Sequence, residues 1–247
     1  MPVDVRGKVA LVTGAGVRVG REIALALARA GMHVAIHYNA SRAAAERTAE
    51  QARSLGVEAE SIAADLGAMA DEARKLVAAV EHRWGRLDVL INSAAIFPRT
   101  PWESIDEETW DRTIAVNLKG PFFTAWHGAE LMRRGEGGSI VNIADWAGLR
   151  PYKNYLPYLV SKGGIVTMTK ALAKELAPEI RVNAVAPGPV LMPEEFDKRT
   201  VARVTEGTLL KRLGNPADVA EAVLFLVART DFVTGHVLVV DGGRLIA

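Results

Sequence analysis

The sequence predicts an α/β fold, a doubly wound parallel sheet with helices on both faces, and three observations predict it. Short apolar runs alternate with helical patterns from end to end. The runs are rich in Val, Ile and Leu rather than alternating cleanly with polar residues, as strands buried on both faces require. A glycine-rich turn, TGAGVRVG from Thr13 to Gly20, joins the first run to the first helical pattern.

In chain order KVALVT, HVAIHY, EAESIAA, LDVLINSA, SIVNIA, IRVNAVAP and HVLVVDGG read as seven strands. Between them Arg21 to Ala30, Arg42 to Leu55, Ala68 to Trp84, Thr109 to Arg134, Pro157 to Leu176 and Pro216 to Ala228 read as amphipathic helices. The last has Asn215 as N-cap, Pro216 at its first position and Val219, Ala222, Val223 and Leu226 on one stripe. No low-complexity linker divides the chain, so residues 1–247 are expected to form one domain with ligands at the carboxyl ends of the strands. The irregular segment at about 189–214 is either a substrate lid or a surface excursion with one short helix.

Composition bounds the function. With 49% apolar and 24% charged residues the chain can build a full core, and a net charge of +1 gives no general attraction to nucleic acid or anionic membrane. The absence of cysteine excludes disulfides, thiolate metal sites and a cysteine nucleophile. His33, His37, His82, His127 and His236 show no metal-ligand spacing, so no metal site is expected. The N-terminus MPVDVRGKVALVTG lacks a signal-peptide pattern, and no apolar run approaches the ~20 residues of a membrane span, which makes the cytoplasm the expected location.

Gly14, Gly16 and Gly20 depart from strict G-x-G-x-x-G spacing, because Val19 takes its last position. Their placement between strand and helix still suits a phosphate cradle of backbone amides. The second strand ends in His37 and Tyr38 instead of the acid that would bond a ribose 2′-hydroxyl. Asn39, Ser41 and Arg42 can donate to a 2′-phosphate there, and Arg18 can supply a cation from the first turn, which favours NADPH. The alternative for Arg18 is a solvated helix-start residue, although a cation at a helix N-terminus is mildly unfavourable without an anion.

In PYLVSKGG, Tyr158 and Lys162 are four apart and share a helix face. An ammonium beside the phenol is expected to lower the tyrosine pKa and make it a usable proton donor or acceptor. Tyr152 and Tyr155 lack a lysine four residues on.

TGAGVRVG, Asp65 in AADL, NSAA from Asn92, Asn117, Asp145 thirteen residues before Tyr158, Lys162 and PGPV from Pro187 follow one another in an order that resembles the short-chain dehydrogenase/reductase family over nearly the whole chain. The resemblance implies a single Rossmann-type domain with a seven-stranded sheet, a homotetramer, and hydride transfer from a nicotinamide to a small molecule. It implies that Gly14, Arg18, Val19 and Gly20 cradle the cofactor, that Asp65 and Leu66 flank the adenine, and that Asn92 and Ala94 line the cofactor. It further implies that Asn117 supports a relay water near Lys162, that Lys162 bonds the nicotinamide ribose, and that Pro187, Gly188 and Val190 pass the nicotinamide.

Where the family has a middle glycine, a serine and NNAG, this chain has Arg18, Asp145 and NSAA, and the threonine usual after PG is missing from PGPVLMP. Arg18, the HY dipeptide, Asp145 and Phe97 together resemble the pteridine reductase branch, in which the arginine meets phosphate and pterin and the phenylalanine stacks the ring. An ionised Asp145 would oppose charge developing on a carbonyl oxygen, so it suits a substrate with N–H donors; a protonated Asp145 would act as serine does. Phe97 at the sheet's carboxyl edge is expected to stack substrate, whereas Trp102 and Trp146 either line the pocket or pack. The expected activity is NADPH-dependent reduction of a pteridine C=N bond, in a dihydrobiopterin, dihydromonapterin or dihydrofolate. The alternative is a carbonyl reductase of the 3-oxoacyl thioester or sugar-alcohol type, and a third possibility is a cofactor-binding regulator without turnover, against which the intact Tyr158, Lys162 and Asn117 argue.

Overall fold

Apolar runs too short for helices and too apolar for a solvated sheet face become the interior strands of a parallel sheet. The computed structural model describes residues 2–68, 70–192 and 196–247, and in these the strands are β1 (Val9–Val12), β2 (His33–Tyr38), β3 (Ala59–Ala63), β4 (Val89–Asn92), β5 (Gly138–Ile143), β6 (Ile180–Pro187) and β7 (Val237–Val240). They form one parallel sheet in the order β3-β2-β1-β4-β5-β6-β7. Register sorts the core: Val12, Ile91 and Val141 align on one face, while Leu11, Leu90 and Ile140 align on the other.

The first face is covered by α1 (Arg18–Arg29), α2 (Arg42–Ser54) and α8 (Pro216–Leu224), the second by α3 (Ala70–Trp84), α5 (Gly120–Arg133) and α6 (Leu156–Leu176). The α8 stripe is buried as its pattern requires, and Asn215 and Asp218 form a reciprocal capping box at its start. The helix expected over 109–134 begins at Glu107, capped by the Asp106 carboxylate, and runs through α4 (Glu107–Ile114), a π turn (Ala115–Lys119) and α5. In the segment at 189–214 a short helix, α7 (Lys198–Glu206), forms, while 193–195 lie outside the described residues, as does Met69 of the helix expected from Ala68.

A buried polar chain crosses the sheet beneath the carboxyl edge. Asn92 Nδ2 donates to Asn142 Oδ1 at 2.9 Å, and Asn142 Nδ2 donates to Thr169 Oγ1 of α6 at 3.0 Å. Strand order reverses between β1 and β4, the switch point at whose carboxyl edge α/β sheets bind ligands. No helix among the described residues is long and apolar enough to cross a membrane.

Two glycines separate steric from conformational cost. A Cβ at Gly20 would overlap the Gly14 carbonyl oxygen, whereas one at Gly56, at φ +89°, would meet nothing within 4 Å. We expect Gly20→Ala to destabilise the fold by about 3 kcal/mol and Gly56→Ala by only about 1 kcal/mol, measured by urea unfolding; equal costs would contradict the close approach of the loop to α1.

Candidate active site

The loop after β1 is built for contact with backbone. Thr13 Oγ1 accepts from the N–H groups of Ser93 (2.9 Å) and Ala94 (3.0 Å), and Gly14, at φ +64°, lies so close that a Cβ would sit 2.8 Å from the Ala94 Cα. The helix that follows, α1, starts at Arg18, three residues before the expected Arg21. Its N-cap, Val17, offers no side-chain cap, and its first turn holds no acid, so the first N–H groups point at a cavity lined by Val17, Arg18, Val19 and Gly20.

That cavity, about 850 Å³, runs along the carboxyl edge from Tyr38, Asn39 and Ser41 past Asp65 and Leu66 to Tyr158. Of the expected cofactor residues, Gly14, Arg18, Val19, Gly20, Asn39, Ser41, Asp65, Leu66, Ala94, Lys162, Pro187, Gly188 and Val190 line it, and Arg42 does not. Asn92 departs from expectation: its side chain turns inward to Asn142 and the Pro121 carbonyl, so it holds β4 against β5 beneath the cavity instead of lining it. These features fit a nicotinamide dinucleotide: an uncapped helix N-terminus for pyrophosphate, neutral donors after β2, and a buried lysine at the far end.

His37 ties the loops together. Gly14 N–H donates to Nδ1 at 3.1 Å and Nε2 faces the Ala64 carbonyl at 3.0 Å, and since a carbonyl can only accept, the proton resides on Nε2. Burial holds this imidazole neutral and lowers its pKa to about 4.

Arg18 has φ +54°, a left-handed conformation in which glycine is unstrained. Its guanidinium donates to the Leu191 carbonyl at 2.8 Å, across the cavity mouth from the segment after β6. The arginine is an exposed helix-start residue, and its tie to Leu191 holds it in a conformation that local preference would not choose.

At the other end the Tyr158 hydroxyl donates to Asp145 Oδ2 at 2.6 Å, and Asp145 Oδ1 accepts from the Ala147 N–H at 2.8 Å. Lys162 Nζ donates to the Ile143 carbonyl at 2.7 Å and lies 5.7 Å from the Tyr158 ring centre. Here the sequence expectation is reversed. Burial first, and then the Asp145 carboxylate, push the Tyr158 pKa well above its usual value, and the lysine does not overcome them. Burial also raises Asp145, against the pull of the Tyr158 and Ala147 bonds and of Lys162, and lowers Lys162 to about 8. The tyrosine is a held acid, with its proton shared toward a carboxyl that itself resists ionisation.

Asn117, in the π turn, also departs from expectation. Its Oδ1 accepts from Ile96 N–H at 2.8 Å, and its Nδ2 donates to the Ile96 carbonyl at 2.9 Å and to Ser161 Oγ at 3.3 Å. It clamps the loop carrying Phe97 to α6 and does not itself line the cavity.

Phe97, 40% exposed, stacks on Tyr155 (4.3 Å, 9°) and meets Tyr158 edge-on (4.6 Å). Tyr152 packs against Tyr155 and Trp146, completing an aromatic wall that lines the cavity. Tyr152 and Tyr155, set aside in the sequence because neither precedes a lysine, thus belong to the site, as do Ser93, Ile96 and Arg244. No spacing marks them; aromatic density between Trp146 and Tyr158 is the one available signal. Trp146 lines the cavity, whereas Trp102 is 77% exposed and away from it. The segment after β6 contributes Pro189 to Met192, Phe196 and Val204.

The chain is similar to known proteins over most of its length. Residues 14–244 match the family model described as Enoyl-(Acyl carrier protein) reductase. The chain is 36% identical over 240 residues to the 3-oxoacyl-(acyl-carrier-protein) reductase FabG of Staphylococcus epidermidis, which spans 96% of this chain and 98% of that protein. A solved structure from Sinorhizobium meliloti, named for the short-chain alcohol dehydrogenases, superposes with a TM-score of 0.94 at 33% identity over 99% of this chain and 98% of that one. The reductase LugOII, described as catalysing keto-reduction at C1 during lugdunomycin biosynthesis, superposes with a TM-score of 0.91 at 34% identity over 99% and 100% of the two chains.

The His37 tie predicts acid sensitivity. A folded pKa of about 4 against 6.5 unfolded means that the unfolded chain takes up a proton first, so stability is intact above pH 6.5 and declines toward pH 4, by up to about 3 kcal/mol. We expect His37→Gln, which can donate and accept in the same places, to flatten that decline in urea unfolding at stepped pH; parallel slopes in the two proteins would contradict it.

Proposed function

The chain belongs to the short-chain dehydrogenase/reductase family, and from that premise we propose that it is an NADPH-dependent reductase of a carbonyl group on a ring-bearing substrate. The observation that carries the reading is the Tyr158 hydroxyl held at 2.6 Å by a buried carboxyl, beside Lys162 and under an aromatic wall. The ketoreductase descriptions of FabG and LugOII support the carbonyl over the C=N bond.

NADPH, when bound, supplies the hydride. The α1 N-terminus with Gly14, Val19 and Gly20 would hold the pyrophosphate. Arg18, Asn39 and Ser41, which line the cavity, would receive the 2′-phosphate, Asp65 and Leu66 would flank the adenine, and Ala94, Pro187, Gly188 and Val190 would lie along the nicotinamide. The substrate oxygen takes the proton of Tyr158, and the Lys162 ammonium stabilises the phenolate left behind. Asp145 fills the place of a hydroxyl donor only when protonated, a state that burial favours. Asn117 keeps Ile96 and Phe97 in register with α6. Exposed Phe122 and Trp126 on α5 suit association into a homotetramer.

A second reading, reduction of a pteridine C=N bond, is favoured by one observation: an ionised Asp145 beside Tyr158 would accept ring N–H donors, with Phe97 stacking the pterin. Steady-state NADPH oxidation with 3-oxoacyl thioesters, cyclic and aromatic ketones and dihydropterins separates the two. Turnover of ketones alone supports the proposal, turnover of dihydropterins alone supports the second reading, and no turnover on either removes both.

The carboxyl predicts a pH profile. Ketone reduction should fall as pH rises through the raised Asp145 pKa, because the donor form disappears, and Asp145→Ser should lose that limb while keeping turnover at low pH within about tenfold. An unchanged limb in the variant would assign the titration elsewhere. Arg18→Gly relieves the left-handed strain and removes the cation, so we expect about 1 kcal/mol greater stability and about a tenfold smaller preference for NADPH over NADH. An unchanged cofactor ratio would reduce Arg18 to its bond with Leu191.

A further inference from the structure

The substrate end of the cavity contains a cation that the reaction itself does not use. Arg244 lines the cavity from the segment after β7, and its guanidinium carbon lies 5.5 Å over the ring of Trp146, the residue next to Asp145. On its other side the guanidinium fills the place where a Cβ of Gly207 would be, so the absence of a side chain there opens its seat against α7.

The backbone that carries it is fastened on several sides. Asp241 accepts from the N–H groups of Gly243 (2.8 Å) and Leu245 (2.6 Å), and the Arg150 guanidinium donates to the Arg244 carbonyl at 3.0 Å and to the Ala247 carbonyl. Such fixation leaves little entropy to be lost when a ligand engages the side chain.

Among the described residues Arg244 makes no ion pair, whereas many other arginines and lysines, mostly on the surface, pair with Asp or Glu. Among the described residues, the acids that line the cavity are engaged elsewhere: Asp65 accepts from the Gly67 N–H, and Asp145 accepts from Ala147 and Tyr158. A half-buried guanidinium stacked on indole, with its donor fork unmatched by a carboxylate, is a receptor for a planar oxyanion. The neighbouring aromatic wall offers the partly exposed Phe97 to a flat ring.

We propose that Arg244 is the specificity-determining residue of the substrate end, and that the substrate is a flat ring system bearing a carboxylate, held between the Phe97–Tyr155–Tyr152 wall and the Arg244–Trp146 pair. The proposal rests on the reductase reading for the identity of the site as a substrate pocket, but its recognition chemistry can be measured without turnover.

The test is calorimetric titration of the protein saturated with NADP⁺ using 2-naphthoate and its neutral isostere 2-naphthamide. Wild type should prefer the carboxylate by about tenfold or more. Arg244→Met, which keeps the aliphatic stem, should abolish that preference while leaving naphthamide affinity within about twofold; Arg244→Lys should restore part of it. Gly207→Ala, which pushes the guanidinium out of its seat without altering it, should also reduce the preference. NADPH affinity should be the same in all four proteins.

Absence of carboxylate preference in wild type, or its persistence in Arg244→Met, overturns the proposal. A matching loss of NADPH affinity also overturns it, because it would make Arg244 a cofactor contact. Failure of the reductase reading shows differently: no ketone is turned over by wild type, yet the naphthoate preference and its dependence on Arg244 are still measured.

Discussion

The backbone contact between the loops that follow β1 and β4 sets the width of the crevice on which the whole site depends. Thr13 takes two N–H groups of the β4 loop, Gly14 abuts Ala94, and Gly20 packs under the Gly14 carbonyl. Neither Gly14 nor Gly20 has room for a side chain, and together these contacts aim the open N-terminus of α1 along the carboxyl edge. His37 extends the same brace to β2 and β3 through two neutral hydrogen bonds, so one side chain keeps three strand ends in register with the loop.

Low dielectric governs the chemistry of the opposite end. Three ionisable side chains, Asp145, Tyr158 and Lys162, share one buried wall, and burial drives each toward its neutral form. A hydroxyl and a carboxyl 2.6 Å apart cannot both ionise, so the pair keeps at least one proton and their titration is that of the pair. A serine at 145 would donate a hydrogen bond at every pH, whereas aspartate makes the donor depend on pH. The Tyr158 shift therefore runs opposite to the one that Lys162 alone would produce.

The strands and most helices were legible in the sequence because burial on two faces or on one stripe leaves a periodic trace, and the caps at Asn215 and Pro216 marked a helix start directly. Boundaries suffered where local rules are broken: α1 begins early, at an arginine in a left-handed conformation, because the tie from Arg18 to Leu191 spans 173 positions of sequence. The Tyr158–Lys162 pair was legible from its four-residue spacing, and most of the cavity lining from the order of short motifs that resembles the family. Asn92 and Asn117 fell in the expected places with their side chains spent on the framework, since a motif names a position and not the direction of a side chain. Tyr152, Tyr155 and Arg244 left no spacing to read, because their proximity comes from the loop before α6 and the chain after β7 meeting above the sheet.

By itself the sequence determined the doubly wound sheet, the glycine-rich turn with no acid after β2, and the Tyr158–Lys162 pair, because these depend on periodicity and on short-range spacing, while Asp145 was marked by the order of motifs that resembles the family. Only the tertiary structure decided which protons are held and which side chains face the cavity: that His37 is a neutral brace, that Tyr158 is a stronger holder of its proton than a free phenol, and that Arg244 and the aromatic wall line the cavity near Tyr158. The physical reason is common to all of them. Desolvation and ligand recognition depend on which groups are brought within a few ångströms of one another, and here those groups come from elements far apart in the chain.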